Sequence, residues 1–111
     1  MQSSDRVVWY RYEDRLSGDD WGTYVNVNLR QFEVVRETPK GVWLRLYEYS
    51  DMSPLRFVLR ESRKRYACPT KEQAMESFLA RKRKQMRILK QKLQHVEEAI
   101  QIAEGKALLL V

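Results

Sequence analysis

A seam of apolar residues runs through the C-terminal third of the chain at alternating steps of three and four residues. Its positions are Met75, Leu79, Lys82, Met86, Leu89, Leu93, Val96, Ile100 and Ala103, and Lys82 alone is not apolar. A repeat of 3.5 residues keeps one stripe of a helix facing a partner helix, as in a coiled coil. A single helix would leave this stripe in water, so the seam predicts a homo-oligomer. We assign the oligomer contact to Met86, Leu89, Leu93, Val96 and Ile100.

Four segments ahead of the seam are rich in β-forming residues or alternate between polar and apolar, which predicts strands. They are Arg6–Glu13, Thr23–Arg30, Val42–Tyr49 and Leu55–Arg60. Asp14–Gly22 contains the turn-forming cluster Ser17-Gly18-Asp19-Asp20, and Thr38-Pro39-Lys40-Gly41 is typical of a tight turn. We expect a bulge or bend at Arg30–Gln31, because Phe32, Val34 and Val35 continue the second strand on a shifted phase. Since the connections are short, the four strands should form an antiparallel meander.

A helix start is predicted at Lys71, because Thr70 and Gln73 have the spacing of a capping box. Gly105 is typical of a helix stop, so the predicted helix ends near Glu104. The fold class is therefore α+β, a four-stranded antiparallel meander followed by one long C-terminal helix that forms an intersubunit coiled coil. We assign residues 1–70 to the sheet unit and 71–111 to the helix and a short apolar tail, within a single domain. The first helical turns should cover the aliphatic face of the sheet.

The composition argues against several functional classes. Cys68 is the only cysteine and His95 the only histidine, which leaves no intramolecular disulfide and argues against a structural zinc site. No secretory signal and no apolar run of membrane-spanning length is visible, which favours a cytoplasmic protein. No catalytic motif and no phosphate-binding glycine loop stands out. We therefore expect a protein that is not an enzyme and that needs no cofactor or metal.

The net charge of +6 is concentrated in the middle of the chain. Thirteen Lys or Arg and three Glu lie between Arg56 and Lys92, whereas the flanking segments are slightly acidic. The seven basic residues from Arg81 to Lys92 have no acid between them, and five of the seven lie in the N-terminal half of the predicted helix. Like charges on neighbouring turns and cations near a helix N-terminus both destabilise a helix, so this arrangement favours an anionic partner.

Aromatic and arginine side chains alternate along the predicted third and fourth strands. If their polar positions share one face of the sheet, they could stack a base and pair a phosphate. The alternative is a second small core against a partner chain, with the arginines at its rim. The candidate ligand-binding residues of the sheet and helix are Trp43, Arg45, Tyr47, Arg56, Arg60, Arg81, Lys84 and Arg87.

The sequence KRYACPTKEQA from Lys64 to Ala74, with Ser77-Phe78 and Arg81-Lys82 after it, resembles a pattern in small bacteriophage-encoded proteins of unknown function. The upstream sequence TPKGVW from Thr38 to Trp43 belongs to the same resemblance. The resemblance implies a β-rich N-terminal half and a C-terminal coiled-coil helix. In general plan the chain is also similar to phage anti-defence nucleotide sponges such as the Thoeris anti-defence family, and no ligand residue is carried over from them.

Together these features predict a non-enzymatic, phage-type homo-oligomer in the cytoplasm of an infected bacterial host. It would bind and sequester a small anionic ligand, such as a nucleotide immune signal, without contact with a membrane. One alternative is a DNA- or RNA-binding protein that uses the basic helix against a phosphate backbone. The second alternative is a protein–protein adaptor, or an inhibitor of a host protein, whose basic block meets an acidic surface.

Overall fold

The computed structural model describes residues 6–47 and 52–110, in which four strands precede one helix. These elements are β1 (Val8–Asp19), β2 (Gly22–Glu37), β3 (Gly41–Arg45), β4 (Leu55–Leu59) and α1 (Lys71–Ala107). Neighbouring strands pair antiparallel in the order β1-β2-β3-β4. The predicted α+β meander with one long C-terminal helix is therefore confirmed. Residues 48–51, the end of the predicted third strand and the start of its loop, lie outside the described residues.

Strands β1 and β2 form a long hairpin with a tight end. Their pairing continues without a break to Asp19 opposite Gly22, and only residues 20 and 21 lie between the strands. The turn predicted over Asp14–Gly22 is therefore wrong in its length, because cross-strand pairing stabilises extended backbone against weak local preferences. The Trp21 amide donates a hydrogen bond to Oδ1 of Asp19 at 2.8 Å, and Gly22 takes a φ of +130° that side chains disfavour.

The second strand has no bulge at Arg30–Gln31, where its pairing with β1 is regular. A register shift occurs instead between Val34 and Arg36, in the pairing with β3. Because this pairing is unbroken, Leu29 and Phe32 point to opposite faces of the sheet. The shift in the apolar pattern after Leu29 therefore marks the point where the apolar residues of β2 move from one face of the sheet to the other, and not a bulge.

The core lies on the face of the sheet that carries Phe32. Its buried side chains are Trp9, Phe32, Val42, Leu44, Val58 and Ala67, and Val34, Leu46 and Tyr66 pack against them. Tyr66 and Ala67, which precede the helix, pack in this cluster, and Ala74 and Phe78 of the first helical turns are buried as well. Two backbone hydrogen bonds between Tyr10 and Cys68, of 2.7 and 2.8 Å, hold this segment against β1.

Helix α1 begins as predicted, with Oγ1 of Thr70 accepting a hydrogen bond from the Gln73 amide at 3.1 Å. Its end differs from the prediction, since the helix continues through Gly105 to Ala107. A glycine inside a helix costs only about 1 kcal/mol relative to alanine, so it weakens the helix without ending it. The chain forms two compact units, Met1–Phe78 and Leu79–Val111, so the first turns of α1 belong with the sheet. Over residues 6–47 and 52–110, we find no helix of sufficient length and apolar character to cross a membrane.

Candidate anion-binding site

The pairing of β3 with β4 decides which candidate residues share a face. Arg56 lies directly opposite Leu44, and Arg45 lies opposite Leu55. Directly opposed residues of an antiparallel pair point to the same face, so Arg56 lies on the core face and Arg45 on the other. The prediction that the arginines and aromatics of β3 and β4 share one face is therefore wrong. A difference of one residue in register moves every side chain of a strand to the other face.

Arg60 and Tyr47 lie beyond the ends of the paired segments. Nη2 of Arg60 donates to the Thr38 carbonyl at 3.3 Å, and its amide donates to the Lys40 carbonyl at 2.8 Å. These bonds assign Arg60 to the turn between β2 and β3. The side chain of Tyr47 is exposed, and its amide donates to Oγ of Ser53 at 2.8 Å.

Three arginines meet aromatic rings on the core face, at the edge of the buried cluster. We call Arg11, Arg30 and Arg56 the arginine cluster. Cζ of Arg11 lies 4.4 Å and Cζ of Arg56 lies 4.0 Å from the centroid of the Tyr66 ring. Arg30 lies 4.7 Å above the Phe32 ring, whose centroid is 5.5 Å from that of Tyr66. Cation–π contacts of this kind hold guanidinium groups flat against rings and leave their edges available for hydrogen bonds.

Among residues 6–47 and 52–110, Glu13 is the carboxylate that pairs with this cluster. Oε1 of Glu13 accepts a hydrogen bond from Nη1 of Arg30 at 2.8 Å, and its Oε2 lies 3.8 Å from Nε of Arg11. Burial lowers the pKa of Arg30, but the hydrogen bond and charge of Glu13 outweigh it, so that this pKa is raised above its ordinary value. Over the described residues, three guanidinium groups and one carboxylate leave an excess of positive charge on this part of the sheet.

Backbone carbonyls fix two members of the arginine cluster and leave the third accessible. Arg11 donates to the Tyr66 carbonyl at 2.8 Å, and Arg30 donates to the Leu46 carbonyl at 3.1 Å. Arg56 is exposed, and among residues 6–47 and 52–110 its guanidinium has the Tyr66 ring contact but no hydrogen bond or ion pair. Nε of Arg11 is buried without a hydrogen-bond partner in the same part of the chain. Arg56 can therefore offer unused N–H donors beside an aromatic ring.

The opposite face of the sheet holds a second cationic cleft. It has a volume of about 100 Å³ and is lined by Arg6, Val8, Gln31, Glu33 and Arg45. Glu33 accepts hydrogen bonds from Arg6 and, at 3.4 Å, from Nε of Arg45. The hydrogen bond from Arg6 is the largest cause that lowers the pKa of Glu33 below its ordinary value of 4.5. Because a carboxylate already occupies both arginines, this cleft is a weaker candidate than the arginine cluster.

Trp43 belongs to a patch of apolar side chains on that opposite face. Its ring packs on Phe57 with centroids 5.2 Å apart, and Leu55 and Leu59 of the same strand are about half exposed. This contact agrees with the alternative of a second small core better than with a base-stacking site, because Phe57 occupies one side of the Trp43 ring.

The candidate residues of the helix lie in the second compact unit. Arg81 is half-buried, Lys84 and Arg87 are exposed, and their ligand-binding role stays a prediction. The five residues assigned to the oligomer contact are all between 50% and 58% exposed. Their exposure leaves an apolar stripe along α1, and their role in assembly likewise stays a prediction.

Sequence reasoning missed Arg11, Arg30 and Tyr66. A usable signal existed, since Arg11 has the same strand parity as buried Trp9, and Arg30 the same parity as buried Phe32. A charged residue at a core-facing position is unusual and often functional.

In the part of the chain that the structure describes, no group of three or more His, Cys, Asp or Glu could hold a metal. Comparisons with protein-family models, curated proteins and solved structures gave no match for this chain.

Proposed function

We propose that this chain is a non-enzymatic, phage-type homo-oligomer that binds and sequesters a small anionic ligand, a phosphate-bearing nucleotide by class. The observation that carries the proposal is the contact of Arg11 and Arg56 with the Tyr66 ring, beside Arg30. Guanidinium groups pair phosphate oxygens in a bidentate manner, and aromatic rings stack bases. The resemblance of the Lys64–Ala74 segment to small phage proteins supports the phage type.

The three arginines of the cluster have different surroundings, and this difference suits such a ligand. Arg11 and Arg30 are held by carbonyls and by Glu13, so they supply a fixed positive field without losing further side-chain freedom on binding. Arg56 lies at the exposed side of Tyr66 and would form the direct contact to phosphate. A base would then stack on the exposed guanidinium plane of Arg56.

Isothermal titration calorimetry with AMP, cyclic di-AMP and inorganic phosphate tests the proposal. Arg56→Gln keeps the size of the side chain and removes its charge, so it should weaken nucleotide binding by roughly 10- to 100-fold, the equivalent of one charge-assisted hydrogen bond of about 1.5–3 kcal/mol. The matched control is Arg36→Gln, since Arg36 is exposed in the same sheet and lies opposite Trp43, on the other face. The control should bind like the parent protein.

Other outcomes would support the alternative functions. Binding of DNA or RNA that weakens steeply with rising salt, without saturation by mononucleotides, would favour a nucleic-acid-binding protein. If neither nucleotides nor nucleic acids bind the parent protein, the adaptor function takes first place. The half-exposed apolar patch of Trp43, Leu55, Phe57 and Leu59 is the feature that favours a protein partner.

A further inference from the structure

The second compact unit exposes its apolar seam along its whole length. Beyond Phe78, no described residue of α1 is buried, and Leu89 and Leu93 are 55% and 58% exposed. A continuous apolar stripe on one side of a helix is stable in water only when something covers it. The covering surface must be apolar and able to accommodate the charges beside the stripe.

The apolar seam has the same spacing of positions when it is read from either end of the helix. When two copies of α1 run in opposite directions about a two-fold axis at Gln91, the seam positions of one copy lie opposite seam positions of the other. The pairs are Leu79 with Ala103, Lys82 with Ile100, Met86 with Val96, and Leu89 with Leu93. In a parallel pair each position faces its own copy instead, so that Lys82 would face Lys82 inside the seam. A like-charge pair at such a position is destabilising, whereas Lys82 beside Ile100 can extend its charge to solvent.

The charged residues that flank the seam also favour antiparallel over parallel pairing. Arg83, Lys90, Glu97 and Glu104 repeat every seven residues on one side of it. Antiparallel pairing brings Arg83 near Glu104 and Lys90 near Glu97 of the second copy, so that each of these contacts is attractive. The helix carries seven Lys or Arg and no acid over residues 81–92, and three Glu and no Lys or Arg over residues 93–104. Parallel pairing would place these like-charged halves side by side.

From these two independent features we propose that α1 docks on α1 of a second copy of this chain, antiparallel, with the symmetry axis at Gln91. The inference rests on the self-association included in the proposed function, and not on the ligand. Ligand binding and helix orientation are measured separately, so failure of one does not resemble failure of the other.

Disulfide trapping in the full-length chain tests the orientation. With Cys68→Ala as background, Met86→Cys and Val96→Cys are made in separately tagged chains. Antiparallel pairing separates the two copies of residue 86 by about 15 Å along the helix axis, at 1.5 Å per residue. Each variant alone should therefore stay uncrosslinked, whereas the two coexpressed should give a mixed disulfide dimer. Gln91→Cys is the matched control, since it lies at the axis but off the seam, and it should not crosslink.

A charge exchange keeps the test valid if Cys68→Ala fails to fold. Arg83→Glu with Lys90→Glu, and separately Glu97→Lys with Glu104→Lys, each turn the attractive contacts into repulsive ones. Each variant alone should self-associate about tenfold more weakly or worse, and a mixture should form a heterodimer that restores the parent affinity. Crosslinking of Met86→Cys alone would overturn the proposal in favour of a parallel pair. A monomeric mass for the unmodified protein, or a mixture without heterodimer, would overturn it as well.

Discussion

Truncation of the two central leucines of α1 gives the sharpest test of self-association. Leu89 and Leu93 lie opposite each other at the centre of the proposed antiparallel pair, and slightly more than half of each side chain is exposed. The double variant Leu89→Ala, Leu93→Ala removes most of this apolar surface from the contact. It also retains helix formation, because alanine has the highest intrinsic helix propensity.

The magnitude follows from the exposed fraction. Full burial of a leucine side chain contributes about 1.5–3 kcal/mol, so covering the exposed half contributes about 1 kcal/mol. A symmetric dimer contains four such leucines, and their truncation should weaken it by about 4 kcal/mol. At 1.4 kcal/mol for each factor of ten, the dissociation constant should rise roughly 1000-fold.

Sedimentation equilibrium over a range of protein concentrations measures this dissociation constant directly. Ile88→Ala with Ile102→Ala is the matched control, because both isoleucines are exposed on α1 but lie off the seam. The control should dissociate like the parent protein. If the leucine variant keeps the parent dissociation constant, or if the isoleucine control weakens equally, the seam is not the contact and the reasoning fails.

Two further predictions concern the sheet and the helix end. Glu33 has a lowered pKa, so its contribution to the free energy of unfolding is present above its ordinary pKa of 4.5 and is lost as the pH falls through the lowered value. The difference in urea midpoint between the parent protein and Glu33→Gln should therefore shrink from pH 6 to pH 3. A constant difference would contradict this prediction. Gly41→Ala should destabilise the folded protein by about 1–3 kcal/mol, since its Cβ would lie 2.2 Å from the Val58 carbonyl oxygen. Gly105→Ala, whose Cβ would have nothing within 4 Å, should stabilise the helix by roughly 0.5–1 kcal/mol, as measured by thermal denaturation. Equal effects of the two glycine substitutions would contradict both assignments.

The sequence by itself determined the elements whose signal is local. The period of the seam, the Thr70 cap and the alternation of the strands predict the α+β order, because each depends on residues within one or two turns or along one strand. The same local signals failed at Gly105 and over Asp14–Gly22. At those positions a helix or a strand pair extends through residues that disfavour it, since the flanking hydrogen bonds outweigh a local preference.

The tertiary structure decided which residues form the candidate site. Alternation assigns the residues of each strand to two faces, but only the pairing of Leu44 with Arg56 fixes which face of β4 joins which face of β3. Tyr66 lies in the irregular segment ahead of α1, where no period predicts its position, and its packing on Phe32 brings it to Arg11 and Arg56. Contacts between residues far apart in the chain depend on register and packing, and neither has a signal within a single segment.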